Sequence, residues 1–365
     1  MGEAPGQSHL ELLAQASLDA LDECGLSLDD VDGLFTSNLS NFFPTLTVGE
    51  YLGIRPKHVD GTNLGGSSFL HHLIAATGAI KAGLCEVALI CYGSNQRTAS
   101  GRLVTGADQP VWEAAYKPRY PVIAYALSAA RHMHQYGTTR EDLARVATSA
   151  REWANLNPMA YKRGPLSVDD VLSSRMVCDP LTVADCCLVT DGAGAILVVS
   201  AERARNMPKK PIYFLGGAAA QWHRQISSMP DLTVTAASES GSRAAKMAGV
   251  DTRDVDLVQL YDAFTINAIL FLEDLGFCPK GEGGRFVSDG NIAPGGSLPV
   301  NTNGGGLSCV HPGMYGIFTL IEATQQLRGE AGERQVADPH LALCHGNGGT
   351  LSSQVSVYLG DNSTL

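Results

Sequence analysis

The sequence has no apolar run of the ~18 residues that would span a bilayer, no basic cluster, and no CxxC pair among its nine cysteines. The first absence removes a transmembrane helix. The second, with a net charge of −11, argues against nucleic acid and anionic membrane surfaces as partners. The third argues against a zinc or dithiol site, and no metal is expected. An odd number of scattered cysteines fits reduced thiols. The opening MGEAPGQSHLELL lacks the basic start and apolar stretch of a signal peptide, so the expected location is cytoplasmic. Charged residues are only 17% of the 365, whereas apolar residues are 44% and glycines number 40, as suits a large core with close backbone approaches.

Apolar periodicity predicts a helix over 9–25, strands at 31–35, 57–62 and 86–93, and a helix over 67–82. A long loop at 95–120, helices near 121–136 and 139–155, a mixed stretch at 160–190 and a buried strand at 193–200 follow. The pattern then restarts with strands at 209–218 and 254–264, helices ending near 249 and covering 265–276, a glycine-rich loop at 280–306, a helix at 313–327, and strands at 340–346 and 352–360. Two matches mark a duplication. GLSLDDVDGL (25–34) resembles GVDTRDVDLV (249–258), and CEVALICYGS (85–94) occupies the place that HLALCHGN (340–347) occupies later. The expected organisation is α/β, with halves 1–205 and 206–365 and an insertion at about 95–190 in the first. Two packed sheets would have helices between and outside them.

The stretch NTNGGGLSCVHPGMYG (301–316), set in such a duplicated chain, resembles the thiolase superfamily. It is most similar to the sterol-carrier-protein-type branch that includes thiolase-like aldolases of steroid side-chain degradation. The resemblance covers nearly the whole chain and implies a thiolase-like duplicated αβαβα five-layer fold, usually a dimer. Four catalytic loops can be matched. The family's nucleophilic cysteine loop corresponds to DGTNLGGSSFLHH (60–72), with Asn63 in the cysteine's place. The N-E-A-F or H-D-C-F loop is YDAF (261–264), the G-H-P loop is Val310-His311-Pro312, and the C-x-G loop is Cys344-His345-Gly346. No cysteine lies between Cys24 and Cys85 to replace the missing nucleophile, and Ala263 stands where the H-D-C-F variant has its cysteine. The chain also starts almost at its first helix, whereas the family begins with a strand. Loss of a central strand would leave its neighbours with unpaired backbone groups.

A thiolase-like site without its nucleophile can still hold a thioester and stabilise its enolate, as a retro-aldol cleavage requires. The implied activity is therefore an aldolase acting on a β-hydroxyacyl-CoA with a bulky acyl group. The alternatives are a β-ketoacyl-CoA thiolase and a non-catalytic scaffold. On the aldolase reading His311 donates to the thioester oxygen, a contribution of roughly 10²–10³ in rate, and Tyr261 and Tyr315 shuttle protons. Either tyrosine could instead be core packing. Asn63 reads as a donor or a helix-start turn former. Cys344 and His345 read as an acid with an orienting donor, or as buried strand-end residues. Asp262 shapes its loop. Gly304, Gly305 and Gly306 would let an acyl-pantetheine arm approach closely, and the run is not a P-loop because no Lys-Ser/Thr follows. Aromatic residues within 111–136 line an acyl pocket or serve as core. No tightly bound cofactor is implied, since coenzyme A enters as part of the substrate. The resemblance further implies a homodimer core and a small partner bearing a zinc ribbon and an OB-type barrel.

Overall fold

The computed structural model describes residues 2–100 and 111–365. The first sheet contains β1 (Gly33–Thr36), β2 (His58–Asp60), β3 (Val87–Ser94) and β6 (Gly192–Val199) in the order β2-β1-β3-β6. β1 runs parallel to both β2 and β3, and β6 is antiparallel to β3. Between β3 and β6 lies a small hairpin of β4 (Met176–Cys178) and β5 (Leu181–Thr182). The second sheet contains β7 (Tyr213–Gln221), β8 (Leu257–Leu260), β9 (Leu341–Gly348) and β10 (Ser353–Gly360) in the order β7-β10-β9-β8. β8 is parallel to β9, and β10 is antiparallel to both neighbours.

Helices Ser68–Lys81 and Gly316–Arg328 pack between the two sheets and touch both. Helix His9–Glu23 covers the outside of the first sheet, and helix Ala237–Ala248 covers the outside of the second. This is the αβαβα five-layer arrangement. Strand alternation explains the sandwich. Val87, Leu89 and Cys91 of β3 turn outward to Leu13, Leu21 and Val48, while Ala88, Ile90 and Tyr92 turn inward to the central core. The outer helix begins with a reciprocal cap. Glu11 N–H donates to Ser8 Oγ, and Ser8 N–H donates to the Glu11 carboxylate.

Several expectations change. Around the expected loop at 95–120, the described residues form short helices at Gln96–Ser100 and Val111–Ala114, and 101–110 lie outside the described residues. The glycine-rich stretch 280–306 contains a helix, Gly283–Ser288, and ends in a π-helical turn, Gly305–Cys309. The supposed loss of a central strand is also corrected. In the second half, the strand that precedes the outer helix is β7, which among the described residues pairs only with β10 at the sheet edge. The equivalent place in the first half is the outer edge of β6, so the family's first strand is an edge strand and not a central one. Among the described residues, the only pairing just beyond that edge is the bridge of Gly2 to Asp191.

Gly93 sets how closely the outer helix sits on β3. A Cβ there would lie 2.5 Å from His9 O and 2.9 Å from Leu13 N, both of them backbone atoms. Gly93→Ala is expected to destabilise the fold by about 1–3 kcal/mol. In urea unfolding the midpoint should fall while the m-value stays unchanged.

Candidate active site

The two central helices start close together, and a cavity of about 540 Å³ opens there. Asn63 to Gly66 lead into one helix, and Gly313 and Met314 into the other. The turn after β8 contributes Tyr261, Ala263 and Phe264, and the end of β9 contributes Asn347 and Gly348. Tyr120 and Tyr125, from the start of helix Val122–Tyr136, close another wall.

Tyr261 and His311 are brought together on this cavity. The phenol oxygen lies 3.1 Å from His311 Nε2. It accepts the Tyr315 N–H at 3.2 Å and lies 3.3 Å from Gly313 O, to which it donates. Tyr315 is the N-cap residue of helix Gly316–Arg328, so negative charge growing on the phenol oxygen faces the positive end of a helix dipole. Burial raises the Tyr261 pKa well above its usual value, and the Tyr315 N–H opposes that shift. Burial lowers the His311 pKa to about 4, which keeps the imidazole neutral. The pair fits here because Gly66 has no side chain. A Cβ on Gly66 would lie 2.1 Å from the Tyr261 ring.

Asn63 lies on the exposed rim of the cavity. Its Oδ1 accepts the Gly65 N–H at 3.0 Å, so the residue forms the turn and its amide nitrogen remains for the cavity. Tyr315 does not line the cavity. Its ring packs behind Tyr261, edge to face at 5.6 Å, and its hydroxyl donates inward to Asn303 Oδ1 at 3.1 Å. It meets the site through its backbone N–H.

Cys344 is also outside the cavity lining. It faces the central helix, with Sγ 3.4 Å from Thr319 O, and burial pushes its thiol pKa far up. His345 points to the opposite side of β9, against Phe271 and between Gln354 and Ser356. The expected acid and orienting pair is therefore split across the strand, because neighbouring strand residues face opposite ways.

Gly304, Gly305 and Gly306 are buried and do not line the cavity. Their ligand is internal. Gly306 N–H and Leu307 N–H donate to the Asp262 carboxylate at 2.6 and 3.4 Å, and a Cβ on Gly305 would lie 2.0 Å from Asp262 Oδ2. Burial raises the Asp262 pKa to about 7, against the pull of these N–H groups.

Several cavity residues, Tyr125, Asn347 and Cys187 among them, were not singled out from the sequence. Tyr125 belongs to the aromatic stretch for which a lining role was weighed, and Asn347 directly follows the C-x-G loop. Cys187 had no local signal. Burial, then Cys186 and Asp262, raise its thiol pKa well above the usual value. Among the described residues, no group of three or more His, Cys, Asp or Glu side chains could hold a metal ion.

An acetyl-CoA acetyltransferase of Methanothermobacter thermautotrophicus is 35% identical over 96% of this chain and 94% of its own length. This chain belongs to the thiolase superfamily. The family described as Thiolase C-terminal domain-like matches residues 218–361 of this thiolase relative. A steroid side-chain-cleaving aldolase of Thermomonospora curvata is 34% identical, covering 89% of this chain and 86% of its own. Among solved structures, the Ltp2-ChsH2(DUF35) aldolase superposes with a TM-score of 0.89 at 32% identity, covering 98% of this chain and 94% of that one.

The raised Asp262 pKa gives a measurable sign. Its ordinary value is 3.8 and its folded value about 7, so the linked stability is fully present below about pH 4 and lost as pH rises through 7. Asp262→Asn keeps an acceptor for Gly306 N–H and has no such titration. The stability of the natural protein relative to the variant should therefore decline between pH 5 and 8 in denaturant titrations.

Proposed function

We propose that this thiolase-superfamily enzyme is a carbon–carbon lyase that cleaves a β-hydroxyacyl-CoA with a bulky acyl group by retro-aldol reaction. The observation that carries the reading is a buried phenol–imidazole pair on a cavity, with Asn63, which by resemblance takes the family cysteine's place, on its rim. The Tyr261 oxygen takes the proton of the β-hydroxyl as its own proton turns from the Gly313 carbonyl to the unprotonated Nε2 of His311. The Cα–Cβ bond breaks and its electron pair enters the thioester enolate. The carbonyl product leaves, and the proton returns from the imidazolium through Tyr261 to the α-carbon. Each group begins neutral, which suits burial, and charge appears only as the bond breaks. The cavity is of ligand size, and Leu39, Tyr120, Tyr125, Phe264 and Met314 suit an apolar acyl group. The aldolase relatives support the same chemistry.

The second reading is an acyltransferase, favoured by the acetyltransferase relative and by Cys187 on the cavity. Against it, a thiol whose pKa is pushed up supplies little thiolate near neutrality.

We also propose that the enzyme acts as a homodimer built on β2 and assembles with a small partner protein, the latter because the solved relative is an aldolase named with ChsH2(DUF35). Among the described residues, β2 pairs only with β1. Antiparallel pairing of its free edge with a second copy, centred on Val59, sets His58 opposite Asp60 twice. Exposed Phe42, Phe43 and Leu46 are sequence neighbours of Pro44 and Thr45, which a Cβ on Gly61 just past the strand would touch, and we place them in the covered surface.

Two outcomes are expected. Without free coenzyme A, the enzyme releases a carbonyl compound from a β-hydroxyacyl-CoA, and Tyr261→Phe lowers kcat by roughly 10²–10⁴. Coenzyme A-dependent splitting of a β-ketoacyl thioester, with an acyl adduct on a cysteine by mass spectrometry, would overturn the lyase reading. In sedimentation velocity, Phe42→Asp shifts the dimer toward monomer, and an unchanged sedimentation coefficient would count against the β2 interface.

A further inference from the structure

A chain of buried hydrogen bonds runs from the cavity into the second sheet, and each link fixes the next. Tyr125 O–H donates to the Gly349 carbonyl at 3.1 Å. A carbonyl only accepts, so the Tyr125 oxygen is left to accept from Asn347 Nδ2 at 2.9 Å. Asn347 Oδ1 then faces Gln354 Nε2 at 2.9 Å, and Gln354 Oε1 faces His345 Nε2 at 2.8 Å. His345 must carry its proton on Nε2, and its Nδ1 accepts from Ser356 Oγ at 2.9 Å. The register of β9 on β10 produces the line, because Asn347 lies opposite Gln354 and His345 opposite Ser356 on one face. Burial holds the His345 pKa at about 4, so no second proton arrives to turn the chain round.

The orientation of the Asn347 amide is thereby set. One Nδ2–H goes to Tyr125, and the other has no acceptor among the described residues. Asn347 is 2% exposed and lines the cavity beside the Tyr261–His311 pair. A Cβ on Gly66 would touch both the Tyr261 ring and the Asn347 backbone oxygen, so the two residues flank one point. His311 is less free for the oxyanion role first assigned to it, because its Nε2 is engaged by Tyr261.

We propose that Asn347 is a catalytic residue whose free Nδ2–H binds the thioester oxygen as the enolate forms, and that Gln354 is the positioning residue that aims it. This rests on the enolate chemistry proposed above and requires only its last step, run in reverse. The Tyr261 oxygen takes an α-proton as its own proton passes to His311 Nε2, the C–H electron pair moves into the enolate, and the oxygen gains charge that the amide N–H meets. A fixed donor in a dry site stabilises that charge without reorganising.

The test is exchange of α-hydrogen for deuterium in acetyl-CoA, followed by mass spectrometry in D2O with the full-length protein. This step needs neither a β-hydroxyl nor carbon–carbon cleavage. The natural protein is expected to exchange. Asn347→Ala should slow exchange roughly 10²–10³-fold, mainly in kcat, with little change in KM. Gln354→Glu should slow it comparably although Gln354 does not line the cavity, because a carboxylate would draw the Asn347 NH2 group toward itself and turn the amide oxygen to the substrate. Asn347→Ser keeps an acceptor for Gln354 Nε2 and serves if the alanine variant does not fold. A folded Asn347→Ala or Asn347→Ser variant exchanging within about twofold of the natural protein overturns the inference, as does absence of exchange in the natural protein. Exchange that depends on Asn347, with no cleavage of any β-hydroxyacyl-CoA, would leave the inference standing and remove the lyase reading alone.

Discussion

The site depends on how closely the two central helices begin. A Cβ on Gly316 would lie 2.1 Å from Gly66 O, and one on Gly348 would lie 1.7 Å from Leu64 O. These contacts are backbone to backbone, where a side chain could not relieve the crowding. They bring the first half of the duplication against the second and leave the Tyr261 ring resting on Gly66. The phenol oxygen then lies at a helix N-terminus, within reach of one imidazole and one backbone N–H. Loosening any of these approaches would separate groups whose chemistry relies on distances near 3 Å.

Burial decides the starting charges. The imidazoles of His311 and His345 are held neutral, the Tyr261 phenol is held protonated, and the Cys187 thiol is discouraged from ionising. Asp262 is the negative candidate in this neighbourhood, and the chain surrounds it with the N–H groups of its glycine-rich turn. A neutral cavity with fixed dipoles suits a reaction that creates and removes one charge within a cycle.

The layers, the duplication and most elements were legible because apolar periodicity is a local property. Val87, Leu89 and Cys91 alternate with Ala88, Ile90 and Tyr92 in the sequence as they do across the sheet. The Tyr261–His311 contact spans 50 residues and came from motif resemblance. Parity along β9 was not legible. Which of Cys344, His345 and Asn347 reaches the cavity depends on twist and on the β9–β10 register. The glycine run advertised close approach but not its occupant, which is a carboxylate more than 40 residues away. Tyr315 misled because its backbone, and not its hydroxyl, faces the site.

The duplicated halves have diverged in what they contribute. Tyr261, His311 and Asn347 all come from the second repeat, whereas Leu39, Tyr120 and Tyr125 come from the first. The reacting groups thus come from one repeat, whereas the wall draws on both, with Phe264 and Met314 beside Leu39 and Tyr120. Leu39 and Tyr120 can change without touching the reacting groups, so a lineage built on this plan can exchange one acyl group for another at those positions while inheriting its chemistry intact.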